Sequence, residues 1–259
     1  MVDSPERIAA LLHGTPLLVM LDIDGTLSDL APVPDEATVP EIARVAVQRL
    51  SNTTGVHVAL VTGRAVRDAR RMVPVRGVHI HGNHGIEIAH ASGETEIEGS
   101  WNAEAAAVGA AAGELAKVVD AFPGALLEHK NYSLSVHYRH VAPNKIDALL
   151  SQVRKIAASH GVAVEGGKSV LNILPKTAVN KGTAAMRLVH EVFGGSTDGA
   201  ILFAGDDVTD EHAFRALFGL PRAVTVKVGT GEDATAAKYR LDSPGDVHRM
   251  LVLLAERSA

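Results

Sequence analysis

The chain has 259 residues, 46% of them hydrophobic, with no cysteine and a formal net charge of -5. That is ample for a buried core in one large or two small domains, it argues against disorder, and it excludes disulfides, thiolate metal sites and a cysteine nucleophile. Charges are interspersed without the basic stripe that nucleic-acid binding demands, no apolar run approaches the roughly 20 residues that span a bilayer, and the N-terminal MVDSPERIAALLHG lacks a basic stretch followed by a long apolar core, so the expectation is a cytoplasmic protein with neither nucleic-acid nor membrane partners.

Strand-like and helix-like segments alternate from the start. The unbroken apolar run Leu17 to Leu21 predicts a strand covered on both faces, and Pro40 to Leu50 has helical spacing. A second buried strand is expected at Val56 to Val61, a helix at Ala65 to Met72 and a third strand at Val78 to His81. Ile86 to Ala89 and Glu94 to Glu98 flank an Ala-Ser-Gly turn and read as a hairpin. After residue 178 come a helix near Lys181 to Phe193, a strand at Ala200 to Ala204, a helix near Asp210 to Leu217, a strand at Val224 to Val228 and a closing helix at Pro244 to Leu254. This rhythm predicts an α/β fold, a doubly wound parallel sheet.

The middle reads as a helix at Ala103 to Phe122, strands at Ala125 to Lys130 and Tyr132 to Arg139, a helix from Pro143 to His160, and strands at Val162 to Glu165 and Ser169 to Leu174. In the second of these strands Tyr132, Leu134, Val136 and Tyr138 share one face and Ser133, Ser135, His137 and Arg139 the other. One side can pack on the two helices while a polar side stays open. The expectation is an α+β cap domain over 103–178, inserted into a core built from 1–102 and 179–259.

The segment LDIDGTL sets Asp22 and Asp24 two residues apart at the end of the first strand. Residues i and i+2 of an extended chain point the same way, and such a pair suits one carboxylate as nucleophile and the other as general acid and base. Thr62 ends the run VALV, Lys181 opens a helix in NKG, and Asp206 and Asp207 follow ILFA in GDDVTDE, which also holds Asp210 and Glu211. Ligand sites of open α/β sheets lie at the carboxyl ends of the strands, so these distant residues can meet. Carboxylates so close repel one another and a phosphate dianion, which a divalent cation resolves, and an all-oxygen site suits Mg2+. Lys181 and Thr62 complete a cradle for phosphoryl oxygens. Taken singly, each piece has an ordinary reading: an exposed Asp-Gly turn, an N-cap threonine, a solvated lysine, and an acidic helix start favoured by the dipole.

Together these four segments resemble the motifs of the haloacid-dehalogenase superfamily of phosphotransferases. More narrowly, LDIDGTLSDLAPVPDEA, VTGR, HGNHGIEI, LEHKNYSLSVHYR, NKGTA, GDDVTDEHAF and VGTGEDATAAKYRLDSP are similar to the trehalose-6-phosphate phosphatases. The resemblance implies a Rossmann-like core and an aspartyl phosphate formed on Asp22, with Asp24 protonating the departing sugar oxygen and then activating water. It implies Mg2+ held by Asp22, Asp206 and the backbone carbonyl of Asp24, with Asp207 and Asp210 organising the surrounding water and Lys181. It places Glu128, Lys130, Arg139, Lys168 and Asn172 in the cap, and Arg64, Asn83 and His84 in the core, at positions that contact a sugar phosphate. One departure stands out: Asn172 occupies a place where the family usually carries an acidic sugar ligand, and Leu174 one where a basic residue is common. That keeps open another sugar or glycosyl phosphate as substrate, a phosphomutase, or a non-catalytic sensor, the last disfavoured by the intact Asp22, Asp24, Lys181 and Asp206.

Three further patterns carry less. GGKS at Gly166 to Ser169 lacks the earlier glycine of a P-loop, with Val162 in its place. GTGEDA lies too near the C-terminus to open a βαβ unit. His79, His81 and His84 are closely spaced, yet without a second ligand cluster they read as structural or pocket-rim residues rather than a zinc site.

Overall fold

A computed structural model describes residues 2–97, 102–130, 132–176, 179–196, 198–231 and 233–257, with no side-chain description for 102–105. It divides into two compact units, one formed by Met1–Glu96 with Val179–Ala259 and the other by Ile97–Ala178.

The larger unit follows the order α1 (Pro5–Leu11), β1 (Leu17–Leu21), α2 (Glu41–Ser51), β2 (Val56–Val61), α3 (Val66–Met72), β3 (Val78–Gly82), β4 (Glu87–Ala89) and β5 (Thr95–Ile97). After the insert it holds α6 (Lys181–Phe193), β10 (Ala200–Gly205), α7 (Glu211–Leu217), β11 (Ala223–Val228), β12 (Tyr239–Leu241) and α8 (Pro244–Arg257). The insert contributes α4 (Asn102–Asp120), β6 (Leu126–Lys130), β7 (Ser133–His137), α5 (Pro143–Ser159), β8 (Ala163–Gly167) and β9 (Val170–Leu174).

The eight-stranded sheet has the order β12-β11-β10-β1-β2-β3-β4-β5, parallel from β12 to β3 and antiparallel between β3 and β4. All five residues of β1 are buried. Their alternation feeds two cores: Leu17, Val19 and Leu21 join Ile8, Val47, Leu50, Ala69 and Leu254. Leu18 and Met20 join Ala185, Leu188, Phe214 and Leu217. Helices α1, α2, α3 and α8 therefore cover one face and α6 and α7 the other, the doubly wound arrangement. On the second face Phe203 and Phe214 meet edge to face with centroids 5.7 Å apart, worth about 0.5–1.5 kcal/mol beyond area burial. The chain runs outward from β1 through β2 to β3, then restarts at β10 on the other side of β1. The crevice at this switch point, beyond the carboxyl ends of β1 and β10, is where such sheets bind ligands.

The insert pairs its strands antiparallel in the order β6-β7-β9-β8. Leu134, Val136, Leu171 and Ile173 pack with Leu115, Leu149, Val153 and Ala157 of its two helices. The opposite face carries a row fixed by register: Glu128 opposite Ser135, Ser135 opposite Asn172, and Asn172 opposite Glu165.

Two expectations change. The strand expected over Tyr132 to Arg139 is only Ser133–His137, because Arg139 lies in a turn and is exposed. Its polar side is not open as expected, since Ser133 and Ser135 are buried and the Ser135 hydroxyl donates to Asn172 Oδ1 at 2.9 Å. Helix α1 and strand β12 are additions to the expected elements. Glu98, the expected end of the hairpin's second strand, and the motif residues Asn131 and Glu232 lie outside the described residues.

Candidate active site

Asp22 follows β1 directly, and its backbone N–H donates to Ala204 O of β10 at 3.0 Å, which ties the two loops of the crevice together. Its side chain is buried and lies 2.9 Å from Lys181 Nζ. Lys181 is itself positioned by a reciprocal cap: Asn180 Oδ1 accepts from the N–H groups of Gly182 and Thr183, and Thr183 Oγ1 accepts from Asn180 N. That cap makes Lys181 the first residue of α6, where its ammonium also donates to Asp210 Oδ1 at 2.8 Å. The other oxygen of Asp210 accepts the N–H groups of Asp206 and Asp207, at 3.1 and 2.9 Å. Asp210 thus shapes the GDD turn and anchors Lys181 with one carboxylate. Gly205 permits this approach, since a Cβ there would stand 2.3 Å from Asp210 Cγ.

Asp22, Asp206 and Asp210 are all buried and place oxygens within 4.8 Å of one another. Burial raises the Asp22 carboxyl well above the usual carboxylate range; Lys181 opposes this, while Asp210, Asp206 and Asp24 reinforce it. For Lys181, burial disfavours the charge but Asp210 and Asp22 outweigh it, so the ammonium is held above its ordinary range. One ammonium among three buried carboxylates leaves excess negative charge. An all-oxygen, anionic donor set of this kind fits a hard divalent cation. Gly25 keeps the approach to Asp206 clear: its φ is +79°, and a Cβ would fall 2.0 Å from Asp206 Oδ2.

Asp24 does not join this trio. Both of its oxygens are held by Arg64, Nε to Oδ2 at 2.6 Å and Nη2 to Oδ1 at 2.7 Å, and Arg64 Nη2 also donates to Pro34 O at 2.8 Å. Arg64, expected to contact substrate, thus engages a carboxylate of the site through Nε and Nη2. Thr62, buried at the end of β2, accepts from Arg64 N at 3.2 Å through Oγ1 and keeps its own hydroxyl proton to give. Asn83 and His84, both at positive φ, bond back through their N–H groups to Arg64 O and Thr62 O, so the loops after β2 and β3 are joined.

Sequence reasoning missed several supports. Glu87 is buried in β4, where Oε2 accepts from Val66 N at 2.8 Å, capping α3, and Oε1 accepts from the Asn83 side chain at 2.7 Å. Lys227, a lone charge in the apolar run AVTVKV, donates to Asp207 O at 3.3 Å. Glu211 accepts from Thr235 Oγ1 and Ala236 N at 2.6 and 2.8 Å, fixing the loop after β11 beside the GDD turn. A charge inside a buried strand run was the available signal for Glu87 and Lys227.

Within the insert, Glu128 Oε2 lies 2.8 Å from His137 Nε2 and 3.5 Å from Lys130 Nζ. His137 was assigned to the polar face but not to a site. Tyr138 N donates to Ser169 O at 2.9 Å, which brings the segments bearing Arg139 and Lys168 to one end of the sheet, both side chains exposed. No helix among the described residues is long and apolar enough to cross a membrane.

The doubly wound sheet with its separate antiparallel insert is a fold of the haloacid-dehalogenase type. The trehalose-phosphatase family model matches residues 20–245. A trehalose-phosphate phosphatase of Mycobacterium bovis (strain BCG / Pasteur 1173P2) is 33% identical over 242 residues, covering 92% of this chain and 61% of that protein. An uncharacterized glycosyl hydrolase of Mycobacterium tuberculosis (strain CDC 1551 / Oshkosh) is 34% identical over 254 residues, 96% of this chain but 19% of that one. The chain therefore spans only part of the length of these relatives. Among solved structures, the C-terminal domain of Candida albicans trehalose-6-phosphate phosphatase superposes with a TM-score of 0.84 at 23% identity, covering 98% of this chain and 97% of that one. A trehalose-6-phosphate phosphatase related protein superposes with a TM-score of 0.76 at 26% identity over 93% and 97% of the two chains. The chain belongs to the trehalose-phosphatase family.

Proposed function

We propose that this protein is a Mg2+-dependent phosphatase that hydrolyses trehalose 6-phosphate to trehalose and inorganic phosphate. The observation that carries the proposal is the buried Asp22 at the carboxyl end of the central strand, 2.9 Å from Lys181 and grouped with Asp206 and Asp210. In this reading an Asp22 oxygen bonds to phosphorus as the ester P–O bond breaks, and Asp24 gives its proton to the departing sugar oxygen. Asp24 then takes a proton from the attacking water, the P–O bond to Asp22 breaks, and phosphate leaves with the Asp22 carboxylate restored. Both Asp24 oxygens are on Arg64 in this structure, so acting as an acid requires Asp24 to turn away from that fork. Lys181 and Thr62 donate to the phosphoryl oxygens, and Asp210 holds Lys181 in place. Asp22, Asp206 and the Asp24 carbonyl would hold Mg2+, which supplies charge neutralisation for the phosphoryl group and its nucleophile.

In this reading the inserted unit selects the substrate. At the two ends of the row the half-buried Glu128 and Glu165 offer hydroxyl-binding acceptors, and Lys130, Arg139 and Lys168 add positive charge suited to a phosphate. Asn172 supports a second reading, another sugar or glycosyl phosphate, because a neutral amide already engaged by Ser135 is a weaker hydroxyl acceptor than a carboxylate. A panel of sugar phosphates assayed with Mg2+ decides between them. The proposal expects phosphate release from trehalose 6-phosphate at a kcat/KM well above that for glucose 6-phosphate. Equal activity across monosaccharide phosphates would sink the disaccharide assignment.

A further inference from the structure

Away from the carboxylate site, the start of β3, the end of β4 and the last turns of α6 bring three potential ligands together. His79 lies on β3, and the antiparallel β3–β4 register, with Ile80 opposite Ala89, sets His90 across from it one step further on. Their rings are 6.1 Å apart at an interplanar angle of 80°. Glu191 comes from α6, and the three side chains each offer a ligand atom within 4.8 Å of the others. His79 Nδ1 is buried without a hydrogen-bond partner among the described residues. Glu96, in β5, adds a second carboxylate beside the ring, 3.3 Å from His90 Nε2. We propose that His79, His90 and Glu191 form a binding site for a borderline transition-metal dication of the Zn2+ class, separate from the carboxylate site and clamping the β3–β4 ribbon to α6.

The donor chemistry separates the two sites. Imidazole pairs with a carboxylate at Zn2+ centres, whereas Mg2+ prefers oxygen alone. Tetrahedral ligands at about 2.1 Å from an ion stand about 3.4 Å apart, so the three groups close by at most roughly 1.4 Å in any pair, within reach of side-chain rotation. Burial holds the His79 imidazole below its ordinary range, partly offset by Glu191, with His90 and His57 adding to the lowering; this favours the neutral ring that a metal needs. Arg187 opposes the ion: its Nε donates to Glu191 Oε1 at 2.9 Å and another nitrogen pairs with Glu96. Glu191 and Glu96 together outweigh that single positive charge, so the cluster has net negative charge when both histidines are neutral.

The test uses the full chain, free of any affinity tag and with Asp206→Asn to disable the carboxylate site. Zn2+ and Co2+ are titrated and followed by calorimetry, by Co2+ visible absorption and by thermal melting. The expected result is one ion per chain, a Co2+ spectrum of mixed nitrogen and oxygen ligation, and a melting temperature raised by Zn2+. Glu191→Gln, at an exposed position, and His90→Gln should each weaken binding by ~10-fold or more and remove the melting shift, with far-UV circular dichroism unchanged. With Asp206 intact, the same two variants keep their Mg2+-dependent phosphatase activity. No Zn2+ bound by the Asp206→Asn chain, or binding undiminished in His90→Gln and Glu191→Gln, would overturn the proposal.

Discussion

Arg64 grips both carboxylate oxygens of Asp24, at 2.6 and 2.7 Å, while its backbone N–H rests on Thr62. One arginine therefore links the residue assigned as acid and base to the end of β2. A two-pronged contact fixes the direction of a carboxylate as well as its charge. Arg64→Ala is expected to lower kcat by about 10²-fold, the scale of a displaced catalytic group, with a smaller change in KM. Arg64→Lys should not restore activity, because an ammonium cannot reproduce the fork. Steady-state kinetics check this; a change in KM alone would instead assign Arg64 to substrate binding.

Asp24 is tested through the leaving group. Asp24→Asn should cost ~10²–10⁴-fold in kcat on a sugar phosphate, whose alkoxide needs a proton to depart. With p-nitrophenyl phosphate, the acid matters far less for the first step. Pre-steady-state rates of leaving-group release should therefore fall much less with the aryl ester than with the sugar ester. An equal loss on both would assign Asp24 to charge or metal binding only.

The carboxylate trio predicts a competition between Mg2+ and protons. The Asp22 carboxyl is raised by burial and by its acidic neighbours, so the metal-free folded state keeps a proton that the unfolded chain releases. Metal-free stability then falls as pH rises from the ordinary carboxylate value through the raised one. Mg2+ requires the deprotonated form, so its apparent affinity should rise with pH, by at most about tenfold per unit for one released proton. Thermal melting at several pH values with and without Mg2+ measures both effects. Asp206→Asn should raise the metal-free melting temperature near pH 7, about 2–4 °C for each kcal/mol gained, and abolish the Mg2+-induced shift.

His81 predicts an acid-side effect. It is buried, neither ring nitrogen has a hydrogen-bond partner among the described residues, and burial, with Arg187, His79 and His90 adding to it, pushes its pKa down to about 3. The unfolded chain protonates His81 near 6.5 while the folded one does not, so stability is lost as pH falls from 6.5 toward 3. The slope from this group is roughly 1.4 kcal/mol per pH unit at most. Urea unfolding of His81→Phe should show a shallower loss across that window; an unchanged slope would mean that His81 does not titrate on unfolding.

The strands of the parallel core were legible because burial on both faces leaves continuous apolar runs, as in Leu17 to Leu21, and polar residues just beyond them mark the carboxyl ends. Asp22 and Asp206 were readable for the same reason, and Lys181 as the opening residue of a helical run. What could not be read was pairing. Nothing in the spacing shows that Asp24 turns to Arg64, that Lys227 reaches Asp207, or that Glu87 caps α3 from another strand. The insert was harder, because short antiparallel strands end where turns and side-chain bonds decide: Arg139 fell into a turn and Ser135 was buried against Asn172. His79 lacked visible partners since His90 reaches it through strand pairing and Glu191 comes from a helix about a hundred residues later.

The most direct test of the central claim is rapid-quench trapping during turnover of phosphoryl-labelled trehalose 6-phosphate with Mg2+, followed by mass mapping of the acid-quenched protein. The account predicts transient label on the peptide carrying Asp22, absent in Asp22→Asn. Release of phosphate at full rate by Asp22→Asn, or label on another residue, would contradict it.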